Sequence, residues 1–458
     1  MALLLADRAD SRGRRGTRHP LGCAADAVPA SRSWARRRDI RSVLAIALLS
    51  VVLLAGACST STAQPPAASA VAGTEPTPTG AIVPSTTVPL PPPVPTIAGV
   101  VLEQEVTSGS GLKRVSRDCG FTVPLSASVA LWLFCDTVWS GSAGHTLSST
   151  AAVSGRGGSA QVYEALDRRP GVVAPFPLLP LTPADEAANE ATHRANGAKA
   201  PRLALWPTGA VTLDDGTVLL SFRQVRTNGD EVQILDTGLA HLVPGATAPP
   251  APGPIQVVRD ATSMVDHPWP ALGDGSGPLS VGSFGPGLVR DGDWVYTYGC
   301  TRGCRVARAK AADLQASLSS APWTYLGAGN QWVDTLDEAV PIPLPGSPDA
   351  PKPEKSQLSI AMFPSIGWVM TYSAGGGAGH TMVLRFSNGP AGPWSEATTV
   401  NVPTCGHARA NGCYAYALHP EIPSRDGFTI SFFRQPDTAD SARGIGGQMW
   451  LADLAVHR

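Results

Sequence analysis

Two aspartates, Asp118 and Asp136, sit at the two ends of a strand–turn–strand pattern. Phe121-Thr-Val-Pro-Leu125 and Val129-Ala-Leu-Trp-Leu-Phe134 are apolar, β-prone runs, and Ser126-Ala-Ser128 between them has turn chemistry. A hairpin that closes Leu125 on Val129 across those three residues sets Cys119 opposite Cys135 and Asp118 opposite Asp136. Directly opposed side chains in such a pair have Cβ atoms about 4.5–5.5 Å apart. Two carboxyl groups that close repel, so one pKa rises and a proton donor stands beside an anion. Glycoside hydrolysis needs such a pair: one group protonates the leaving oxygen, and the other attacks the sugar or activates water. The pattern assigns Asp118 as base or nucleophile and Asp136 as its partner, with the roles exchangeable. The plainer alternative has Asp136 capping a turn through Thr137, with Asp118 alone facing a ligand.

Other residues offer less specific chemistry. Trp206 presents an aromatic face that suits a sugar ring or a core. His419, before Pro420, can hydrogen-bond a sugar hydroxyl or serve structure. Asp215, Asp291 and Asp426 sit in Asp-Gly turns and read as turn formers. Glu354 lies in a Pro/Lys loop and reads as solvated, and Glu421 is a further acid. The stretch Ser373-Ala-Gly-Gly-Gly-Ala-Gly379 lacks the Lys and helix context of a phosphate loop. No Ser-His-Asp arrangement is readable, and no cofactor or metal is assigned.

What must position these residues is a repeat. An apolar strand, an Asp-Gly-type turn and a second, aromatic-rich strand recur at Val123–Phe134, Gly209–Phe222, Gly287–Tyr298, Leu358–Tyr372 and His419–Phe432. A further strand follows several copies, at Arg305–Ala309, Met382–Phe386 and Met449–Asp453. Five copies at this long period suit the four-stranded blades of an all-β, five-bladed β-propeller, with a sandwich as the alternative. Helical signal is sparse: Ala184–Arg194, capped by Thr182-Pro183, and a short one at Ala309–Ser317. Gly and Pro, 48 and 43 of 458 residues, exclude a helix bundle.

The amino end reads as an address. The first 41 residues carry ten Arg and four Asp, a charge of +6 that leaves −7 on the rest of a chain whose total is −1. That balance argues against a nucleic-acid partner. Val43–Ala57 is an apolar run of 15 residues behind Arg36, Arg37, Arg38 and Arg41, too short for a span of about 20 and suited to an export signal. Ala55-Gly-Ala-Cys58 resembles a lipobox, with Cys58 lipidated; the alternatives are an ordinary signal cleaved near Ala57 and, more weakly, a twin-arginine signal. Residues 59–97 hold ten Pro and one charge, a disordered, semi-rigid stalk. The domain plan is therefore 1–57 basic head and signal, 58–97 lipidated Cys and linker, and 98–458 propeller. The expected product is an exported monomer, tethered to the membrane through Cys58.

Six cysteines remain in the body. In an exported domain they suggest three disulfides, and spacing favours Cys300–Cys304 and Cys405–Cys413. Zinc is the rival, with Cys300, Cys304, Cys405, His407 and Cys413 as ligands, but the spacings match no common module.

With these strands in view, the body from about residue 100 to the end resembles a family of exported bacterial five-bladed propellers. The family was long catalogued as a domain of unknown function and includes mycobacterial-type endo-D-arabinanases. The resemblance rests on Asp118 with Phe121–Leu125, Leu131-Trp-Leu-Phe-Cys-Asp-Thr137, Trp206-Pro-Thr-Gly209, Trp294-Val-Tyr-Thr-Tyr-Gly299, Gly392-Pro-Trp-Ser395 and His419-Pro420. It implies a cell-envelope glycosidase acting on a furanose polysaccharide such as D-arabinan, with His419 near the central funnel. Two departures stand out. Cys135 occupies a position where the family usually has Gly, which is explained most simply by a Cys119–Cys135 disulfide. Gln357, a candidate substrate contact, stands where an acid is expected, and loss of that acid suggests weakened or absent hydrolysis. The competing reading is a non-catalytic lipoprotein that binds glycan or protein on the propeller face.

Overall fold

The computed structural model describes residues 93–458, apart from 143–144, 158–159, 197–199, 229–230, 244, 246–248, 251, 259–283, 301–302, 347–356, 377, 407–411, 426, 438–445 and 458. The segment expected to be an export signal, Cys58, nearly all of the expected stalk, Glu354, His407 and Asp426 lie outside the described residues.

Among the described residues the chain forms five blade sheets, one per predicted repeat and antiparallel apart from a short parallel pair of Thr107–Ser108 with Gln161–Glu164, and a small two-stranded sheet of Leu166–Asp167 with Ala174–Pro175. Blade 1 runs outward from Ser116–Pro124 through Val129–Val138 and Thr150–Gly155 to Gln161–Glu164. Blade 2 starts at Arg202–Thr212, blade 3 at Val289–Asp291, blade 4 at Ser359–Phe363 and blade 5 at Cys413–Leu418. The first strand of blade 1 contacts those of blades 2 and 5, that of blade 3 contacts blade 2, and that of blade 4 contacts blade 5. Blade 5 is completed by Thr96–Glu105, which pairs with Gln448–His457, so both ends of the described chain are held in one sheet.

The core follows from that order. Blade strands are covered on both faces, so Val129–Val138 is apolar almost without alternation and six consecutive residues of it are buried. Five apolar clusters result, and each lies between neighbouring blades: Leu205 and Phe222 with Leu131 and Leu133, for example, or Trp132 and Phe134 with Phe433 and Met449. The ring closes because the last cluster joins blade 5 to blade 1.

The turns behave as their residues require. Asp215 Oδ1 accepts the Thr217 N–H at 2.9 Å, and Gly216 beside it has φ +82°. The predicted surface helix spans Pro183–Asn196, with the Asp185 N–H donating to Thr182 Oγ1 at 3.2 Å. The short one spans Ala311–Ala316. One repeat boundary shifts. The first strand of blade 5 ends at Leu418, so His419, Pro420 and Glu421 form a turn rather than a strand. Pro420 has no N–H and cannot extend the ladder.

All three disulfides are formed: Cys119–Cys135, Cys300–Cys304 and Cys405–Cys413. The zinc alternative falls away for these sulfurs. Among the described residues the one His/Cys/acid grouping with metal-like spacing is Asp118, Cys119 and Cys135, and its sulfurs are bonded to each other, leaving no thiolate to ligate.

Candidate active site

The predicted hairpin register holds for most of blade 1, from Phe121↔Leu133 to Pro124↔Ala130 and again at Arg117↔Thr137. Between those stretches it slips. Cys119 pairs with Phe134 rather than Cys135, so Asp118 stands alone opposite two residues, Cys135 and Asp136. This is a β-bulge, a device that re-aims side chains. The first strands of blades 2 and 5 also carry bulges, at Thr208 and at Ala415–Tyr416. The bulge of blade 1 lies toward the start of its first strand, at one end of the axis.

That end gathers the candidate residues. The Tyr414 hydroxyl, from blade 5, donates to Asp118 Oδ2 at 2.7 Å. Asp118 Oδ1 is buried and has no hydrogen-bond partner in the structure. Asp136 is held from blade 2: Arg202 forms an ion pair with Oδ2, and Trp206 Nε1 donates to Oδ1 at 2.8 Å. The Asp136 and Arg202 side chains are 29% and 22% exposed, so this cluster meets solvent. Gln357, just before the first strand of blade 4, donates from Nε2 to the Cys119 carbonyl at 3.3 Å. Asp118, Asp136, Trp206, Gln357 and Tyr414 therefore share one mouth, supplied by four blades.

The electrostatics separate the two acids. Burial raises the Asp118 carboxyl to about 7, and the nearby Asp136 charge adds to the rise, against smaller opposing effects of Tyr414 and Arg202. Asp136 has a guanidinium and an indole N–H to hold a negative charge. Protonated, Asp118 would carry its proton on the unpartnered oxygen.

His419 is not in this group. It is fully buried at the opposite end of the axis, with Nδ1 2.5 Å from Thr122 Oγ1 and its ring 5.0 Å from that of Trp132. Thr122 lies four residues beyond Asp118, roughly 13 Å along a strand at about 3.3 Å per residue. Burial closes His419 to a sugar hydroxyl, contrary to the expectation from its motif. Glu421, the further acid, joins it there and accepts from Thr122 Oγ1. A cavity of about 300 Å³ on the axis, lined by Phe121, Val123, Leu288, Ile360 and Glu421, opens between the ends of the first strands.

Arg202 and Tyr414 were not legible as site residues. Arg202 is four residues before Trp206, on the same face of one strand, so an alternation argument starting from Trp206 reaches it. Tyr414 precedes a bulged residue, Ala415, with φ +57°, and nothing local announces its aim. Beside Arg202 a second cavity, of about 280 Å³, is walled by the helix and lined by His145, Asn189, Glu190 and His193.

The sequence matches no protein-family model and no curated protein. Solved structures do resemble it. A hydrolase from Bacteroides ovatus is 16% identical, covers 74% of this chain and 85% of its own, and superposes with a TM-score of 0.50. An exo-beta-1,3-galactanase from Clostridium thermocellum is 9% identical over 78% of this chain and 64% of its own, TM-score 0.43. Bacillus subtilis levansucrase, solved with oligosaccharides, is 10% identical over 78% and 88%, TM-score 0.40. At these identities the likeness is one of fold, and the fold is the five-bladed β-propeller.

Proposed function

We propose that this chain is a cell-envelope glycoside hydrolase that cleaves a furanose polysaccharide such as D-arabinan. One observation carries the reading: two neighbouring carboxyl groups held differently, Asp118 buried and raised to about 7, and Asp136 partly exposed and fixed by Arg202 and Trp206. Asp118 is the proton donor, because its proton is retained near neutral pH and its Oδ1 has no competing partner. Tyr414 holds the other oxygen and so fixes the direction of transfer. Asp136, oriented by Arg202 and Trp206, attacks the sugar or activates water. These roles exchange those read from the sequence. The furanose assignment comes from the resemblance of the strand motifs.

The test is release of oligosaccharide from arabinogalactan and related furanose polymers by purified protein. Release that Asp118→Asn lowers by about 10²–10⁴ supports the reading, that being the usual contribution of a positioned acid or base. No release, or release unchanged by the substitution, overturns it.

Gln357 favours a second reading, a glycan-binding propeller without turnover. It brings an amide, not a third acid, to the mouth, and that amide is engaged with a backbone carbonyl. Binding of the same polymers that survives loss of both aspartates, without product, supports this alternative. We also propose that the chain is exported and anchored through a lipid on Cys58. Membrane fractionation of the wild type and of Cys58→Ser tests this, and equal release of both into the medium overturns it.

A further inference from the structure

We propose that the Cys119–Cys135 disulfide, braced by Gln357, is the positioning device that holds Asp118 and Asp136 side by side across the bulge. This inference rests on the reading of those two acids as the working pair. It assigns a task to residues that touch neither substrate nor reacting atoms.

The geometry of the chain carries it. Each cysteine is the immediate neighbour of one acid: Asp118-Cys119 on the first strand and Cys135-Asp136 on the second. Ladder pairing is interrupted at this point, since Arg117↔Thr137 and Cys119↔Phe134 leave Asp118, Cys135 and Asp136 without regular partners. A bulged segment lacks the hydrogen bonds that fix strand spacing elsewhere. The covalent bridge supplies that spacing, with the two Cα atoms 5.3 Å apart. Cys119 also has φ +70°, followed by Gly120 at +72°. A residue with a Cβ adopts that region only where its surroundings hold it. Those surroundings are the bridge on one side and Gln357 Nε2 bonded to the Cys119 carbonyl on the other. Gln357 thus acts as a strut from blade 4 to the bulge of blade 1.

The charged and titratable groups around Asp118 are Asp136 and, from the neighbouring blades, Arg202 and Tyr414. Release of the bridge lets the bulge relax, separates the carboxyls and admits water to Asp118. Each change weakens what holds its proton. The experiment is ¹³C-carboxyl NMR titration of Asp-labelled full-length protein, with the Asp118 resonance identified by its loss in Asp118→Asn. The Cys119→Ser/Cys135→Ser variant should titrate about one pH unit or more below the wild type. Where turnover is present, the alkaline limb of the pH profile for kcat/KM should move down with it. Cys300→Ser/Cys304→Ser, which removes a bridge of blade 3, should leave the midpoint in place. Gln357→Ala keeps the bridge and should shift the midpoint in the same direction by less, which preserves the test if the double variant does not fold. A folded double variant with the wild-type midpoint, or an equal shift in the blade 3 control, overturns the proposal. The titration needs no substrate, so a wild type without turnover would sink the hydrolase reading and leave this result standing on its own.

Discussion

The two ends of the propeller axis each hold an acid between blades 5 and 1, and they hold it differently. At the far end Glu421 is buried, accepts from Thr122 and lies 3.6 Å from His419, which is itself enclosed and packed on Trp132. At the mouth Asp118 keeps one oxygen without a partner, faces a second acid, and belongs to a bulged strand. The far end uses polar groups to tie two blades together. The mouth leaves a proton poised and pays in regularity of the sheet. An acid in a sequence motif is therefore a weaker sign of chemistry than an acid whose surroundings leave work undone.

The sharpest way to break this contrast is to neutralise each acid in turn. Asp118→Asn should lower polysaccharide hydrolysis by about 10²–10⁴ without lowering the unfolding midpoint, because general acid catalysis is lost and a costly buried carboxyl is removed. Glu421→Gln should do the reverse, costing about 1–3 kcal/mol of stability through a disturbed buried hydrogen bond while turnover persists. Initial rates and denaturant unfolding of both variants decide it. If Glu421→Gln abolishes turnover in a stable protein, the two ends are not distinct in the way described.

Next in size is Arg202→Ala. It removes the cation that holds Asp136 and the opposing charge that moderates Asp118. The rate should fall at least about tenfold, since a misplaced partner costs that and more. The surviving activity should show its alkaline limb at higher pH than the wild type, because one of the influences that lowers the Asp118 pKa is gone. A pH profile of kcat/KM reads both effects. A lower rate with an unmoved limb would separate Arg202 from Asp118 altogether.

Much of this architecture is legible in the sequence. Apolar runs separated by short turns, Asp-Gly in three of the five copies, point to the blades because each strand is buried on both faces and says so in its composition. Local cysteine spacing gave Cys300–Cys304 and Cys405–Cys413. The hairpin register brought Asp118 and Asp136 together to within the one-residue slip of the bulge. What stayed hidden depends on long-range closure. Tyr414 reaches Asp118 from 296 residues away in sequence, and Arg202 reaches Asp136 from 66. His419 misled because a motif near the axis does not say which end of the axis, and Pro420 moved it from strand to turn.

A smaller effect should appear in stability. The Asp118 pKa is about 7 in the folded protein against 3.8 for an ordinary aspartate, so between those values the folded state binds more protons than the unfolded state. Stability should therefore decline as pH rises from about 4 to about 7, with no further loss from this group above that. Asp118→Asn should flatten the slope in that window. Denaturant midpoints at pH 4.5, 6 and 7.5 for both proteins measure it, and parallel curves would mean that Asp118 ionises as freely as in water.

The smallest effect tests the partner that the sequence did not announce. Tyr414→Phe removes one hydroxyl, and with it the hydrogen bond that favours the ionised form of Asp118. Two consequences oppose each other. The carboxyl holds its proton to higher pH, which extends the active range on the alkaline side. The same carboxyl loses the contact that fixes its direction, which lowers the maximal rate, by about tenfold or less for one hydrogen bond of about 1 kcal/mol. The variant should thus be slower than wild type below pH 7 and approach or pass it above pH 8. Glu421 at the far end has no such dependence on Tyr414, so the stability gap between Glu421→Gln and its parent should be the same in either background. A Tyr414→Phe profile that drops uniformly without shifting would make Tyr414 a packing residue and leave the raised Asp118 pKa to burial and to Asp136 alone.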